Sequence, residues 1–114
     1  GTRMTLLHFG PRHEVYERRY QVDDWLIQLG TLTRTALSPG HSTRGHAHAW
    51  PELYFVEKGT GILEMRDGDS VQTVVMQLAP GVVAEIAPNR YHRVLTGEGI
   101  TFWGVYPARR EEAK

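Results

Sequence analysis

Short apolar segments separated by turn residues run along this chain, and their pattern predicts strands rather than helices. The segments are rich in Val, Ile, Thr, Tyr and Phe, which strands prefer. Clusters of Gly, Pro, Asp, Asn and Ser separate them at intervals of roughly seven to twenty residues. The predicted strands read TLLHF, WLIQLGTLTRTAL, ELYFVEK, GILEMR, VQTVVMQL, VVAEIA, YHRVL and ITFWGVY. Helix content should therefore be low.

The same pattern constrains the topology. Asp67-Gly68 indicates a hairpin, because a tight turn needs positive φ and Gly adopts it without strain. The segment 13–20, HEVYERRY, fits the periods of both strand and helix. Many short strands in a chain of 114 residues predict a sandwich or small barrel, and a jelly roll is among the few ways to close one.

One domain over residues 4–107 is expected, since a chain of this length has room for a single core. Residues 1–3, ahead of Met4, resemble an expression scar and are left out of the fold prediction. Residues 108–114 carry a self-neutralising Arg-Arg-Glu-Glu run and should form a flexible tail. Edge strands of a small barrel need covering, often by a second copy, so we expect a homodimer.

Composition narrows the classes of function. Apolar residues make up 40% and charged residues 23%, as in soluble globular proteins. Thirteen basic residues balance thirteen acidic ones, so no overall field attracts nucleic acid or an anionic membrane. Cysteine is absent, which excludes disulfides and thiolate-held metals. No apolar run of about 18 residues and no signal peptide is seen, so we expect a cytoplasmic protein that binds neither nucleic acid nor membrane.

The stretch RGHAHAWPELYFVEKG, residues 44–59, carries the strongest chemical signal. Strand alternation would direct His46 and His48 to one face, about 6 to 7 Å apart. Pro51 has no N–H to donate, and a bend there would return Glu52 towards them. His92 follows a Pro-Asn turn forty residues beyond Glu52. Three imidazoles and one carboxylate suit one divalent transition metal: Fe, Mn, Ni, Co or Zn.

A structural explanation competes with this one. A His-x-His pair arises by chance, and a single histidine before an apolar run is more often structural. Glu52 fits that explanation less well, because an unpaired carboxylate beside a core segment is costly. Four ligands around a six-coordinate metal would leave two positions for substrate or water, which favours catalysis.

The spacing of these residues resembles the two motifs of the cupin superfamily. The first motif is matched throughout, by Gly40, His46, His48, Glu52 and Gly59. In the second, Gly81 and His92 match, whereas Ala87, Asn89 and Thr96 replace the family's Pro, Gly and Asn. Asn tolerates the left-handed conformation, so that turn should be kept. The resemblance implies an all-β double-stranded β-helix, a jelly-roll barrel with a metal inside its mouth.

A narrower resemblance concerns the strings TRGHAH, PELYFV and VYPA. These are similar to strings in the archaeal-type glucose-6-phosphate isomerases of the cupin superfamily. The resemblance implies that Thr43 and Gly45 contact a substrate phosphate and that Tyr106 lines the pocket. It also implies that Glu52 and Tyr54 lie beside the reacting carbons.

Three arginines flank the predicted ligands. Arg44 and Arg90 are candidates for holding a phosphate or carboxylate, whereas Arg93 is expected to face solvent. His41 is more readily interpreted as a loop histidine than as a fifth ligand.

The sequence therefore predicts a mononuclear metal enzyme with a small, oxygen-rich substrate. Aldose–ketose isomerisation of a sugar or sugar phosphate is the leading hypothesis, with Glu52 moving the proton and Tyr54 donating a hydrogen bond. The same ligand set also suits an Fe(II)-dependent dioxygenase of a small organic substrate. A barrel that only binds a small molecule is the third alternative.

Overall fold

The computed structural model describes residues 2–10, 12–22, 25–68 and 70–107. These residues form strands, turns and loops without helix, which confirms the expected low helix content. In chain order the strands are β1 (Thr2–Phe9), β2 (His13–Val22), β3 (Trp25–Leu37), β4 (Glu52–Gly59), β5 (Gly61–Asp67), β6 (Val74–Leu78), β7 (Val83–Ile86), β8 (Arg90–Leu95) and β9 (Ile100–Tyr106). No described segment is a helix with the length and apolar character needed to cross a membrane.

The strands pair into two antiparallel sheets. One has six strands in the order β1-β2-β3-β9-β4-β7, and the other has three in the order β6-β5-β8. The chain passes between the sheets where β4 leads into β5 through Gly59 and Thr60. Gly59 has a φ of +83°, and a Cβ there would collide with the Gly99 carbonyl, so glycine is required. This two-sheet arrangement confirms the predicted all-β jelly-roll fold.

The segment 13–20, which fits the periods of both strand and helix, lies in β2 and pairs with β3 in the register His13↔Thr35.

β5 and β6 form the predicted hairpin, but its connection is longer than a tight turn. The first pair is Met65↔Val74, and the segment 71–73 precedes the strand. Val71 is 95% exposed, so its apolar side chain has no core contact to hold this part of the chain in the sheet.

The structure bears on the predicted N-terminal scar but not on the predicted C-terminal tail. β1 begins at Thr2, so residues left out of the fold prediction as a scar belong to a strand. The predicted tail, residues 108–114, lies outside the described residues.

Side chains of β4 alternate between the interior and the surface. Tyr54 and Val56 are buried, whereas Leu53 and Phe55 are exposed. The same alternation buries Glu52, which is 5% exposed. The core between the sheets includes Leu63, Leu78, Ile86, Val94 and Phe102. A carboxylate therefore lies on the inward face of a core strand, where it needs polar or cationic partners.

The core predicts a sharp difference between two neighbouring substitutions in β5. Leu63→Ala removes a side chain that is 0% exposed and should lower the free energy of unfolding by about 2–5 kcal/mol. Ile62→Ala, on the opposite face and 42% exposed, should cost about 1 kcal/mol or less. Urea unfolding measures both values. Equal losses would show that β5 does not present Leu63 to the core.

Candidate metal centre and cavity

The four predicted ligands form one cluster in the structure. His46, His48, Glu52 and His92 each offer a ligand atom, and these atoms lie within 4.8 Å of one another. Glu52 Oε1 lies 3.1 Å from His48 Nε2 and 3.6 Å from His92 Nε2. Ligand atoms held about 2.1 Å from a shared ion lie about 3 to 4 Å apart. The cluster therefore has the dimensions and the N/O chemistry of a metal site.

The segment that carries the first two histidines is not a regular strand. Residues 38–51 lie between β3 and β4 and are joined to β8 by two isolated bridges, Ser42↔Leu95 and His46↔His92. In the second bridge the His46 N–H donates to the His92 carbonyl at 3.2 Å, and the His92 N–H donates to the His46 carbonyl at 2.9 Å. The expectation that strand alternation aligns the two imidazoles was wrong. Attachment of an irregular segment to β8 brings them together instead.

A left-handed turn before β8 supports the same segment. Asn89 has a φ of +64°, which confirms the expected turn at this position. Its N–H donates to the His48 carbonyl at 2.6 Å. The turn that leads to His92 therefore also fixes the backbone of His48.

Backbone carbonyls set the tautomers of the imidazoles. Nδ1–H of His92 donates to the Arg90 carbonyl at 2.8 Å, and Nδ1–H of His48 donates to the Trp50 carbonyl at 2.7 Å. In the neutral rings this leaves Nε2 as a lone pair directed at the Glu52 carboxylate. His92 Nε2 is buried and has no hydrogen-bond partner among the described residues. A cation among these atoms would satisfy all of them, so the residues fit a divalent metal.

The pKa values of the cluster residues also favour the binding of a cation. Burial alone would raise the pKa of Glu52, but the hydrogen bond to His48 and the nearby His92 imidazole outweigh it and hold the pKa below its usual value. Burial, together with the charges of His92 and His48, lowers the pKa of His46. The hydrogen bond to Glu52 raises the pKa of His48. Its proton lies between the imidazole nitrogen and the carboxylate, which is the position that a metal ion would take.

Tyr54 lies beside the cluster as a neutral donor. Burial raises the pKa of Tyr54 well above its usual value, and the charge of Glu52 acts in the same direction. The Tyr54 ring packs on Phe102, with 4.9 Å between ring centroids. At neutral pH Tyr54 is therefore a neutral phenol two residues from an ionised Glu52 on the same face of β4.

Gly104 in β9 provides the space that the second carboxylate oxygen occupies. A Cβ at this position would lie 2.7 Å from Glu52 Oε2, 2.8 Å from Thr33 Oγ1 and 3.0 Å from the Tyr54 ring. No real Cβ tolerates the first two distances. Sequence reasoning missed this residue, because a glycine within a strand indicates a close approach without saying to what.

A cavity of about 580 Å³ adjoins the cluster. Of the residues predicted for the site, its wall includes Thr43, Arg44, His46, His48, Glu52, Tyr54 and Tyr106. His92 completes the cluster from behind this wall and is 1% exposed. The structure thus brings the predicted ligands and most of the predicted substrate contacts to one place.

Two predicted substrate contacts lie away from the cavity wall. Arg90 Nε lies 3.1 Å from the Asp67 carboxylate, in an ion pair between β8 and β5. Gly45 packs beneath the Tyr91 ring, whose hydroxyl would collide with a Cβ there. Arg93 pairs outward with Glu64 at 2.8 Å, as expected for a residue next to an inward histidine.

His41 is exposed, and its Nδ1 hydrogen-bonds the Pro39 carbonyl at 3.1 Å, as a loop histidine would. Conversely, Arg12 and His13 line the cavity although no sequence motif surrounds them. They arrive through the long-range pairing of β2 with β3, which local patterns do not specify.

The cluster predicts that metal affinity depends on the charge of Glu52. Glu52→Gln keeps the size of the side chain but removes the anion that faces the imidazoles, so affinity should fall by about 100-fold or more. Glu85→Gln, an exposed position in β7, makes the same change away from the cluster. Competition with a chelator measures both, and equal affinities in the two variants would contradict the assignment.

Gly104→Ala should also weaken metal binding, because the new Cβ displaces the Glu52 carboxylate or Thr33. We expect a loss of about 10-fold or more, as for other changes that disturb ligand orientation. Gly97→Ala is the matched control, since a Cβ at Gly97 meets nothing within 4 Å. If Gly104→Ala binds metal as tightly as Gly97→Ala, the close approach to Glu52 does not position the ligand.

No protein-family model matches this chain, and no curated protein does. Solved structures do match. The cupin domain of Drosophila melanogaster CENP-C has a TM-score of 0.64 at 11% identity, over 90% of this chain and 74% of that one. Capsular polysaccharide assembling protein CapF from Staphylococcus aureus has a TM-score of 0.66 at 13% identity, over 93% of this chain and 28% of CapF.

A variant of oxalate decarboxylase from B. subtilis gives a TM-score of 0.66 at 15% identity, over 92% of this chain and 27% of the enzyme. This chain thus spans less than a third of the length of CapF and of the decarboxylase. At such identities the likeness shows the architecture alone, and it agrees with the two-sheet topology. The chain has the cupin fold.

Proposed function

We propose that this protein is a mononuclear metal-dependent enzyme that interconverts aldose and ketose forms of a sugar or sugar phosphate. The observation that carries the proposal is the pair formed by Glu52 and Tyr54. The two side chains lie on the same inward face of β4, and both are on the wall of the cavity beside the imidazoles. An ionised carboxylate and a neutral hydroxyl side by side are the groups that proton transfer between adjacent carbons requires.

The two carboxylate oxygens of Glu52 have different surroundings. Oε1 faces His48 and His92, whereas Oε2 approaches Gly104 and Thr33. Thr33 and Tyr54 both line the cavity. One oxygen is therefore placed to hold a metal, and the other is placed among residues that would contact a substrate.

His46, His48, Glu52 and His92 would hold a divalent metal, which would supply Lewis-acid polarisation of a substrate carbonyl and the neighbouring hydroxyl. Glu52 takes the proton from C2 through Oε2 and returns it to C1, and the C2 hydroxyl gives its proton to the oxygen on C1. Tyr54, kept neutral by burial, is the neighbouring hydrogen-bond donor. Phe102 packs on Tyr54, and this apolar contact excludes water from the proton that Glu52 moves between the two carbons.

The cavity suits a small hydroxylated substrate. Its volume of about 580 Å³ lies within the range of small-molecule sites. The hydroxyls of Thr33, Thr35 and Thr43 are on its wall. Thr43 Oγ1 accepts a hydrogen bond from the Val94 N–H at 2.9 Å, so its own O–H is directed elsewhere and can donate to a ligand. The oxalate decarboxylase that shares this fold is likewise named for a small oxygen-rich acid.

Isotope exchange tests the proposal. Metal-loaded protein incubated in D2O with aldoses, ketoses and their phosphates should introduce deuterium at C2, detected by NMR. Tyr54→Phe should slow exchange by roughly 100-fold without loss of metal. Tyr91→Phe, outside the cavity wall, serves as the control. Absence of exchange with every sugar and sugar phosphate would refute the isomerase.

An Fe(II)-dependent dioxygenase is a second candidate, and the apolar part of the wall favours it. Leu37, Ala47 and Phe102 line the cavity together with the ligands, as a less polar substrate would need. Isomerisation proceeds without oxygen, whereas a dioxygenase consumes O2 in proportion to substrate. Oxygen uptake by the iron-loaded protein with an organic substrate, together with no deuterium exchange, would favour this candidate over the isomerase.

A further inference from the structure

We infer that Arg12 and Arg44 form an oxyanion subsite at the solvent end of the cavity, so that the substrate carries a phosphate or carboxylate group. The inference rests on the proposed function, which makes the cavity a substrate site. It narrows the substrate class from sugars in general to anionic sugars, such as sugar phosphates and sugar acids.

The charges along the cavity wall are unequal although the whole chain is balanced. The chain has thirteen basic and thirteen acidic residues. Among the described residues that line the cavity, the cations are Arg12 and Arg44 and the single carboxylate is Glu52. Glu52 already faces the imidazoles at 3.1 and 3.6 Å. The part of the cavity outside the cluster therefore has a net positive charge.

Three other arginines of the described residues are matched by carboxylates, and a fourth, Arg66, lies over the Tyr91 ring with 4.4 Å between its Cζ and the ring centroid. Arg34 lies 2.9 Å from Glu57, Arg90 lies 3.1 Å from Asp67, and Arg93 lies 2.8 Å from Glu64. A carboxylate therefore neutralises each of these three guanidinium groups.

Within the part of the chain that the structure describes, neither Arg12 nor Arg44 has an ion-pair partner. A guanidinium presents a planar fork of donors that matches the oxygens of phosphate and carboxylate. Arg12 and Arg44 therefore have guanidinium donors available to an external anion at the cavity wall.

The positions of the arginines define an orientation for the substrate. Both are exposed, whereas Glu52 and Tyr54 on the same cavity wall are 5% and 7% exposed. The Arg12 carbonyl accepts a hydrogen bond from the Ala36 N–H at 2.7 Å, which anchors the start of β2 against β3. A substrate would thus bind with its anionic group outward and its carbonyl end towards Glu52.

Open-chain ligands without an aldehyde or ketone group test this subsite, because they cannot be isomerised. Calorimetry on the metal-loaded protein compares sorbitol with sorbitol 6-phosphate and with gluconate. The anionic ligands should bind about ten-fold more tightly than sorbitol. Arg12→Gln and Arg44→Gln should each remove most of that advantage and leave sorbitol binding unchanged. Preference for the phosphate ester over gluconate would identify a phosphate subsite, and the reverse a carboxylate subsite.

Lys58→Gln is the control, since it removes one positive charge from an exposed position outside the cavity wall. If Lys58→Gln weakens anion binding as much as the arginine variants do, the effect is general electrostatics and the subsite is refuted. Equal affinities for sorbitol and both anions also refute it. The two proposals can fail separately. Deuterium exchange with neutral sugars, without a preference for anions, would refute the subsite and support the isomerase. Anion binding without exchange would refute the isomerase and support the subsite.

Discussion

The buried carboxylate of Glu52, facing three imidazoles, is the constraint on which the rest of the structure depends. A charged group at 5% exposure needs compensation, and burial alone would drive the carboxylate to accept a proton. The hydrogen bond to His48 and the neighbouring His92 imidazole keep it ionised. The orphaned Nε2 of His92 lies 3.6 Å away, and a cation would complete this arrangement.

The two sheets of the fold supply the partners of this carboxylate from opposite sides. Glu52 begins β4 of the larger sheet, while His92 lies in β8 of the smaller one. The irregular segment that carries His46 and His48 is fastened to β8 and to the Asn89 turn by backbone hydrogen bonds. The architecture therefore leaves one end of the interlayer space polar and the remainder apolar. The result is a pocket whose wall includes the buried Glu52 and Tyr54 and the exposed Arg12 and Arg44.

Local sequence patterns were sufficient for most strands and for the ligand set. The bounds of β3 and β9 coincide with predicted segments, and the motif spacing identified the four ligands that the structure brings together. Two failures have physical reasons. The histidine segment was taken for a strand, because alternation cannot reveal that its hydrogen bonds go to β8 and a turn. Arg12 and Gly104 reach the site through long-range strand pairing, and Arg90 is held away by Asp67, so neighbours in sequence gave no signal for any of them.

X-ray absorption at the metal edge of the loaded protein tests the central claim most directly. The account predicts one metal per chain, with a first shell of nitrogen and oxygen at about 2.0–2.2 Å. It also predicts outer-shell scattering from three imidazole rings, falling to two in His92→Ala. Metal that binds without imidazole scattering, or scattering that His92→Ala leaves unchanged, would contradict it.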